Sequence, residues 1–267
     1  MMWAIYAAPF STPWINSGLR RHLRISTMKN ELDKHVIAYQ GDQLYDFDNQ
    51  ILLNWYPQRI TTMSASATSL LELGLGHGYT ANIFSRLYTR HLVLEGSPAV
   101  IENFQKKFPE CQATIVATYF EEFSTDEKFD VIVMGFILEH VNNPLTLLRQ
   151  YQRFLAPGGK IFLTVPNAEA LNRRLGYLAG MLPDMQALSE NDFIQGHKRY
   201  YTVESLSEEI QLAGYRIDKL EGLFLKPITT SQMLALNLPE SITQAMCKAG
   251  VDYPELSCAI LAQISLP

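Results

Sequence analysis

The sequence lacks what would mark a disulfide scaffold, a membrane span, a coiled coil or a collagen. Only three cysteines occur among 267 residues, Cys111, Cys247 and Cys258, and none stand in CxxC spacing. That usage points to a reducing, cytoplasmic compartment and to no cysteine zinc site. No run approaches the roughly 18 consecutive apolar residues of a membrane-spanning helix. Basic residues do not dominate: 22 Lys and Arg against 27 Asp and Glu leave a formal charge of −5, so no nucleic-acid partner is expected. Internal repeats and low-complexity tracts are absent. What is present is 47% hydrophobic and 18% charged, a composition that buries a core.

Residues 1–27 contain Arg20, Arg21, His22 and Arg24 but no Asp or Glu. The apolar Met1–Phe10 precedes these basic residues, the reverse of the order in a secretory signal. This stretch is expected to be a flexible leader, with an organelle presequence or a short substrate-covering helix as alternatives. Residues 28–267 are expected to form a single domain. Within it, about 30–60 read as a helical cap, rich in aromatics and stopped by Pro57.

Beyond the cap the period changes, and short apolar runs alternate with helical stretches, the pattern of a mostly parallel sheet. Six runs read as strands: Ser69–Leu73, His91–Glu95, Ala113–Ala117, Phe129–Met134, Lys160–Val165 and Tyr215–Gly222. A last apolar run, Leu256–Ser265, ends the chain. Ser97-Pro98 and Asn143-Pro144 mark helix starts, a capping side chain followed by a proline where a missing N–H does no harm. Pro157-Gly158-Gly159 is expected to turn into the fifth strand, and Thr202 and Gly214 to bracket a helix. The segment of about 167–201 has no strand pattern and is too long for a structureless loop, so it reads as a partly helical lid insert. Residues 227–253 read as mixed and partly helical.

The chemistry-bearing motif is Glu72-Leu73-Gly74-Leu75-Gly76-His77-Gly78, where an apolar strand opens into a helix. Glycines permit positive φ and close approach of backbone to a ligand. A dinucleotide loop would place its third glycine at position 79, which is Tyr79, and a phosphate-cradling loop would carry a lysine, which is missing. Glu95 ends the next strand 21 residues after Gly74, and a carboxylate there can accept from two ribose hydroxyls.

With these residues in view, the chain resembles the class I S-adenosylmethionine-dependent methyltransferases. Five ordered stretches carry the resemblance: the glycine loop; Val93-Leu94-Glu95-Gly96-Ser97; Phe129 to Val141, ending in Leu138-Glu139-His140-Val141; Pro157 to Asn167; and Gly196-His197-Lys198-Arg199-Tyr200-Tyr201-Thr202. The resemblance implies an α/β Rossmann-like sheet of seven strands in order 3-2-1-4-5-7-6, the last antiparallel, with helices on both faces. It implies S-adenosyl-L-methionine as cofactor. Gly74, Gly76 and Gly78 would pack against its methionine and ribose, Glu95 would take the ribose hydroxyls, and Gly96, Gly135 and Phe136 would lie close by. Thr118 stands where such enzymes often carry an aspartate for the adenine, so Phe120 and Glu121 or backbone are expected to serve there. His140 and His197 are the candidate catalytic residues, as substrate contact or base; the alternative for each is local ordering of its loop. Glu139 is expected to be structural. No magnesium-holding acid stands where catechol-type enzymes carry one, and the Asp/Asn-Pro-Pro-Tyr run of nucleic-acid amino-methyltransferases is absent. The expectation is therefore a metal-independent enzyme acting on an O or N of a small molecule, a sugar or glycan, a quinone or another metabolite. A homodimer is compatible with this reading. A non-catalytic S-adenosylmethionine-binding regulator is the alternative, and a nicotinamide oxidoreductase a more distant one.

Overall fold

Alternating apolar runs and capped helices build a seven-stranded sheet in the computed structural model, which describes residues 32–33 and 46–267. The strands are β1 (Ser69–Leu73), β2 (Arg90–Glu95), β3 (Thr114–Ala117), β4 (Phe129–Gly135), β5 (Leu155–Pro166), β6 (Arg216–Leu223) and β7 (Ala259–Ser265). Their order is β3-β2-β1-β4-β5-β7-β6. Pairings from β3 through β5 are parallel, and β7 runs antiparallel between β5 and β6. The sheet, its order and its antiparallel last strand are those implied by the resemblance.

Neighbouring residues of each central strand feed opposite cores, because side chains alternate across a pleated strand. On one face, Leu71, Ile132 and Leu163 pack with Leu147, Leu148 and Tyr151 of α4 (Pro144–Tyr151) and with Leu206 and Ile210 of α7 (Val203–Leu212). On the other, Leu70, Val133 and Phe162 pack with Leu52, Tyr56 and Ile60 of α1 (Asp46–Met63). A third cluster joins Ala81 of α2 (Tyr79–Phe84) to Val100 and Phe104 of α3 (Pro98–Lys107). The start signals are realised as expected. Ser97 Oγ accepts from Val100 N at 3.2 Å and Asn143 Oδ1 from Thr146 N at 2.9 Å. Thr202 forms a capping box with Ser205, and Gly214 closes the same region at φ +88°.

Three expectations need correction. Helix α1 does not stop at Pro57 but carries it in its interior; the burial of Leu52, Tyr56 and Ile60 on one stripe outweighs the lost backbone bond. Pro157-Gly158-Gly159 lies inside β5, as a bulge where the β4–β5 register jumps from Phe129↔Leu155 to Val131↔Lys160. The final strand begins only at Ala259. The leader of 1–27 lies outside the described residues, as does the cap before Asp46 apart from Leu32 and Asp33. Residues 227–253 resolve into α8 (Thr230–Leu236) and α9 (Glu240–Gly250), and the segment of about 167–201 holds α5 (Leu171–Leu178) and α6 (Glu190–Gln195).

The ends of that last segment are clasped together. Asn167 and Tyr201 form a bridge, Ala168 N donates to Tyr201 O at 2.7 Å, and Tyr201 N donates to Pro166 O at 3.1 Å. Asn167 is fully buried and its Nδ2 donates to the carbonyls of Pro254, Glu255 and Ser257.

Helix α1 is fastened to the far sheet edge by Arg59, whose Nε and Nη2 donate to the two oxygens of Glu221 on β6 at 2.8 and 2.7 Å. Burial raises the Glu221 carboxyl, but the bonds from Arg59 and Lys219 outweigh it and hold the group below the ordinary glutamate value. A depressed carboxylate stabilises the fold above its unfolded pKa and loses that contribution as pH falls through its folded value. Replacing Arg59 by Met, which keeps the aliphatic stem, should destabilise the protein by about 1–3 kcal/mol at neutral pH, Lys219 retaining part of the pairing. Thermal unfolding of the two proteins across a pH series should show their melting temperatures converging in acid.

Candidate functional site

The parallel strands all deliver their carboxyl ends to one edge, and there a cavity of about 1160 Å³ opens among the described residues. Every residue singled out in the sequence lines it: Gly74, Gly76 and Gly78 after β1, Glu95 and Gly96 after β2, Phe120 and Glu121 after β3, Gly135 and Phe136 after β4, and His140 and His197. The cavity's volume lies just above the roughly 300–1,000 Å³ of typical small-molecule sites.

The glycine loop is left-handed at all three glycines, with φ of +80°, +47° and +79° at 74, 76 and 78. A Cβ on Gly78 would lie 2.5 Å from the Phe104 ring, so that glycine serves helix packing as well as the turn. Behind the loop lies a buried polar set. Glu72 accepts from the Thr80 hydroxyl and pairs with His91 Nε2 at 2.9 Å. Tyr56 of α1 is buried close to this pair, and burial pushes its phenol far up, keeping it neutral. Above the loop, Asn49 of α1 meets His77 Nε2 at 3.2 Å. The described part of the cap is thus one wall of the cavity.

Glu95 joins two segments. Its Oε2 accepts from Leu75 N at 3.0 Å and its Oε1 from Ser97 N at 2.8 Å. Burial raises this carboxyl, and the backbone donors of Leu75, Ser97 and Gly96 pull the other way. Three backbone donors leave acceptor capacity on the carboxylate for a further hydroxyl. Phe136 adopts φ +56°, an uncommon conformation for an aromatic residue, held by donation of its N–H to Thr164 O at 2.9 Å and Oγ1 at 3.1 Å. Phe120 O accepts from Tyr151 Oη at 3.0 Å, fixing the turn at the adenine-side position expected from sequence.

The opposite half of the cavity is built by the loop after β4 and by residues 167–201. The rings of His140 and His197 meet edge to face with centroids 4.8 Å apart. His197 Nδ1 lies 2.8 Å from Asp192 Oδ1, and Tyr200 Oη donates to both oxygens of the same carboxylate at 3.1 and 3.0 Å. Burial would raise Asp192, but the bonds from His197 and Ser189 win and take it down to about 2. Lys198 N donates to Glu139 O at 2.8 Å, tying the insert to the β4 loop. The Glu139 side chain is fully buried, and neither oxygen has a hydrogen-bond partner among the described residues. Burial pushes its carboxyl up to about 7, only partly offset by His197, its own backbone amide and Arg199.

Sequence reasoning placed the two histidines but not Asp192, which orients one of them, and took Glu139 as structural. The run Ser189-Glu190-Asn191-Asp192 was the available signal: it is a capping box, with Ser189 Oγ accepting from Asp192 N.

Three comparisons bear on the chain. The family model of the methyltransferase domain matches residues 48–220. Among curated proteins, the chain is 24% identical over 217 residues to the ubiquinone biosynthesis O-methyltransferase of Acinetobacter baumannii (strain ACICU), covering 76% of this chain and 86% of that protein. Among solved structures, the fold is similar to an S-adenosylmethionine-dependent methyltransferase from Thermotoga maritima, with TM-score 0.59, 16% identity, and coverage of 89% of this chain and 99% of the other. It is also similar to the N-methyltransferase NodS from Bradyrhizobium japonicum WM9, solved with S-adenosyl-L-homocysteine, with TM-score 0.56, 15% identity, and coverage of 90% and 100%.

The left-handed glycine loop yields a stability prediction. Gly78→Ala should destabilise the protein by about 2 kcal/mol or more, combining the left-handed penalty of roughly 1–2 kcal/mol with displacement of Phe104; urea unfolding measures it.

Proposed function

This chain belongs to the methyltransferase domain family, and we propose that it carries the methyl group of S-adenosylmethionine to an oxygen or nitrogen of a small-molecule acceptor. The observation that carries this reading is the two-sided cavity. One side is the left-handed glycine loop with Glu95 and Gly96. The other is a cluster of ionisable groups around His140 and His197.

The donor sulfonium is already activated, so the protein's work is to align acceptor atom, methyl carbon and sulfur, and proximity is worth on the order of 7–11 kcal/mol in well-oriented cases. On the donor side, Gly74 and Gly76 leave room for backbone to approach the methionine and ribose, while Glu95 accepts from the ribose hydroxyls. Phe120 and Glu121 flank the adenine, and Gly96, Gly135 and Phe136 close the surrounding wall. Gly78 contributes through the turn it allows. On the acceptor side, Asp192 holds the His197 ring by its Nδ1 and sets the tautomer, and His140 stacks edge-on against it. A hydroxyl acceptor must lose a proton as the bond to carbon forms, and the histidine pair is placed to take it. A purely regulatory binding protein would have no use for such a pair beside the donor site, which disfavours that alternative.

No helix among the described residues is long and apolar enough to cross a membrane. Cys111, Cys247 and Cys258 are free, with burial pushing the thiols of Cys247 and Cys258 up to about 12; three unpaired thiols fit a reducing compartment such as the cytoplasm.

Calorimetric titration tests the donor side. S-adenosylhomocysteine should bind the wild-type protein, Glu95→Ala should weaken it by about 1–3 kcal/mol, and Gly76→Val should abolish it; unchanged affinity in both variants would place the site elsewhere. On the acceptor side, His140→Ala and His197→Ala should lower turnover by roughly 10²-fold or more while leaving S-adenosylhomocysteine affinity near wild type. Equal loss of both quantities would mean that the histidines serve only the fold.

A further inference from the structure

We propose that Glu139, His140 and His197 form a binding site for a divalent transition-metal ion on the acceptor side of the cavity. One ligand atom from each of these side chains lies within 4.8 Å of the others. Three further observations point to a cation. Glu139 is fully buried with both oxygens lacking a partner among the described residues, and buried carboxylates are otherwise hydrogen-bonded, paired or metal-bound. His197 directs Nδ1 to the Asp192 carboxylate, the arrangement that fixes a metal-binding imidazole and leaves its Nε2 lone pair to the ion. Asp192 is in turn held by Ser189 and Tyr200, so the orienting carboxylate is itself rigid.

The donor set selects the ion. Two imidazoles and one carboxylate match zinc and its first-row neighbours, whereas magnesium prefers oxygen donors and water. Three protein ligands leave coordination positions open, the mark of a catalytic site as opposed to a structural one. This reverses the metal independence expected from sequence. That expectation looked for an acid after the fourth strand aligned like those of catechol-type enzymes, and the third ligand here comes from a distant insert. The site's role, though not its existence, rests on the methyl-transfer reading. There the ion would acidify an acceptor hydroxyl set at an open position. The proton would leave to water, the oxygen would bond to the methyl carbon, and the carbon–sulfur pair would go to sulfur, giving the neutral thioether. His140 and His197 would then act as ligands in place of a free base.

The test uses the full chain after chelator treatment. Zinc(II) titrated calorimetrically should bind at one site per chain, magnesium(II) should give no comparable binding, and cobalt(II) should develop a visible absorption band that zinc displaces. Glu139→Gln and His197→Ala should each weaken zinc binding by at least about 100-fold, and Asp192→Asn by about 10–100-fold, with circular dichroism confirming that each variant is folded. Absence of zinc binding and of the cobalt band in the wild-type protein overturns the proposal, as does zinc binding of equal affinity in folded Glu139→Gln. Parallel titration with S-adenosylhomocysteine separates the two readings. Zinc bound without the nucleoside overturns the methyl-transfer reading alone, and the nucleoside bound without zinc overturns the metal site alone.

Discussion

The Glu95 carboxylate holds the working edge of the sheet together. Its oxygens accept from Leu75 N in the loop after β1 and from Ser97 N at the start of α3, so one buried acid fixes the separation of two neighbouring strand-to-helix crossings. Everything on the donor side is positioned relative to that link. The left-handed glycines set the path of the first crossing, and the Ser97 cap sets the second. Burying a carboxylate is unfavourable, and backbone N–H groups at two helix entries are what make it tolerable. The same carboxylate lines the cavity, so a structural necessity and the proposed ribose contact share one side chain.

The second half of the site is organised on a different principle. Beneath the glycine loop Glu72 has two side-chain partners, the Thr80 hydroxyl and His91 Nε2, whereas neither oxygen of Glu139, beside the histidines, has one among the described residues. A buried acid left without donors calls for a physical account, and the cation proposed above supplies one for Glu139. The two glutamates, one within β1 and one in the turn after β4, thus differ in how their charge is accommodated.

Much of the fold was legible because its punctuation is local. Ser97-Pro98, Asn143-Pro144, Thr202 and Gly214 announce helix boundaries within a few residues of themselves, and the capping bonds are formed as expected. That the glycine loop and Glu95 would meet at one cavity was legible for the same reason, since they follow consecutive strands. What was not legible depends on distant partners. Pro57 sits inside α1 because Leu52, Tyr56 and Ile60 find a core on the far face of the sheet. Helices α5, α6 and α8 span only eight, six and seven residues, too short for periodicity to separate them from the loops around them. Asp192 acquires its role only when a turn at Gly196 folds His197 back onto it, and the isolation of Glu139 is a property of the packed interior that no spacing records.

The clasp between Asn167 and Tyr201 has a consequence for how such a protein diversifies. The segment between them leaves and rejoins the sheet at nearly one point, so its length and sequence can drift without disturbing strand register. Because it furnishes one flank of the cavity while the donor flank comes from the first two crossings, an ancestral gene could exchange this cassette and inherit a new acceptor preference with the old donor apparatus untouched.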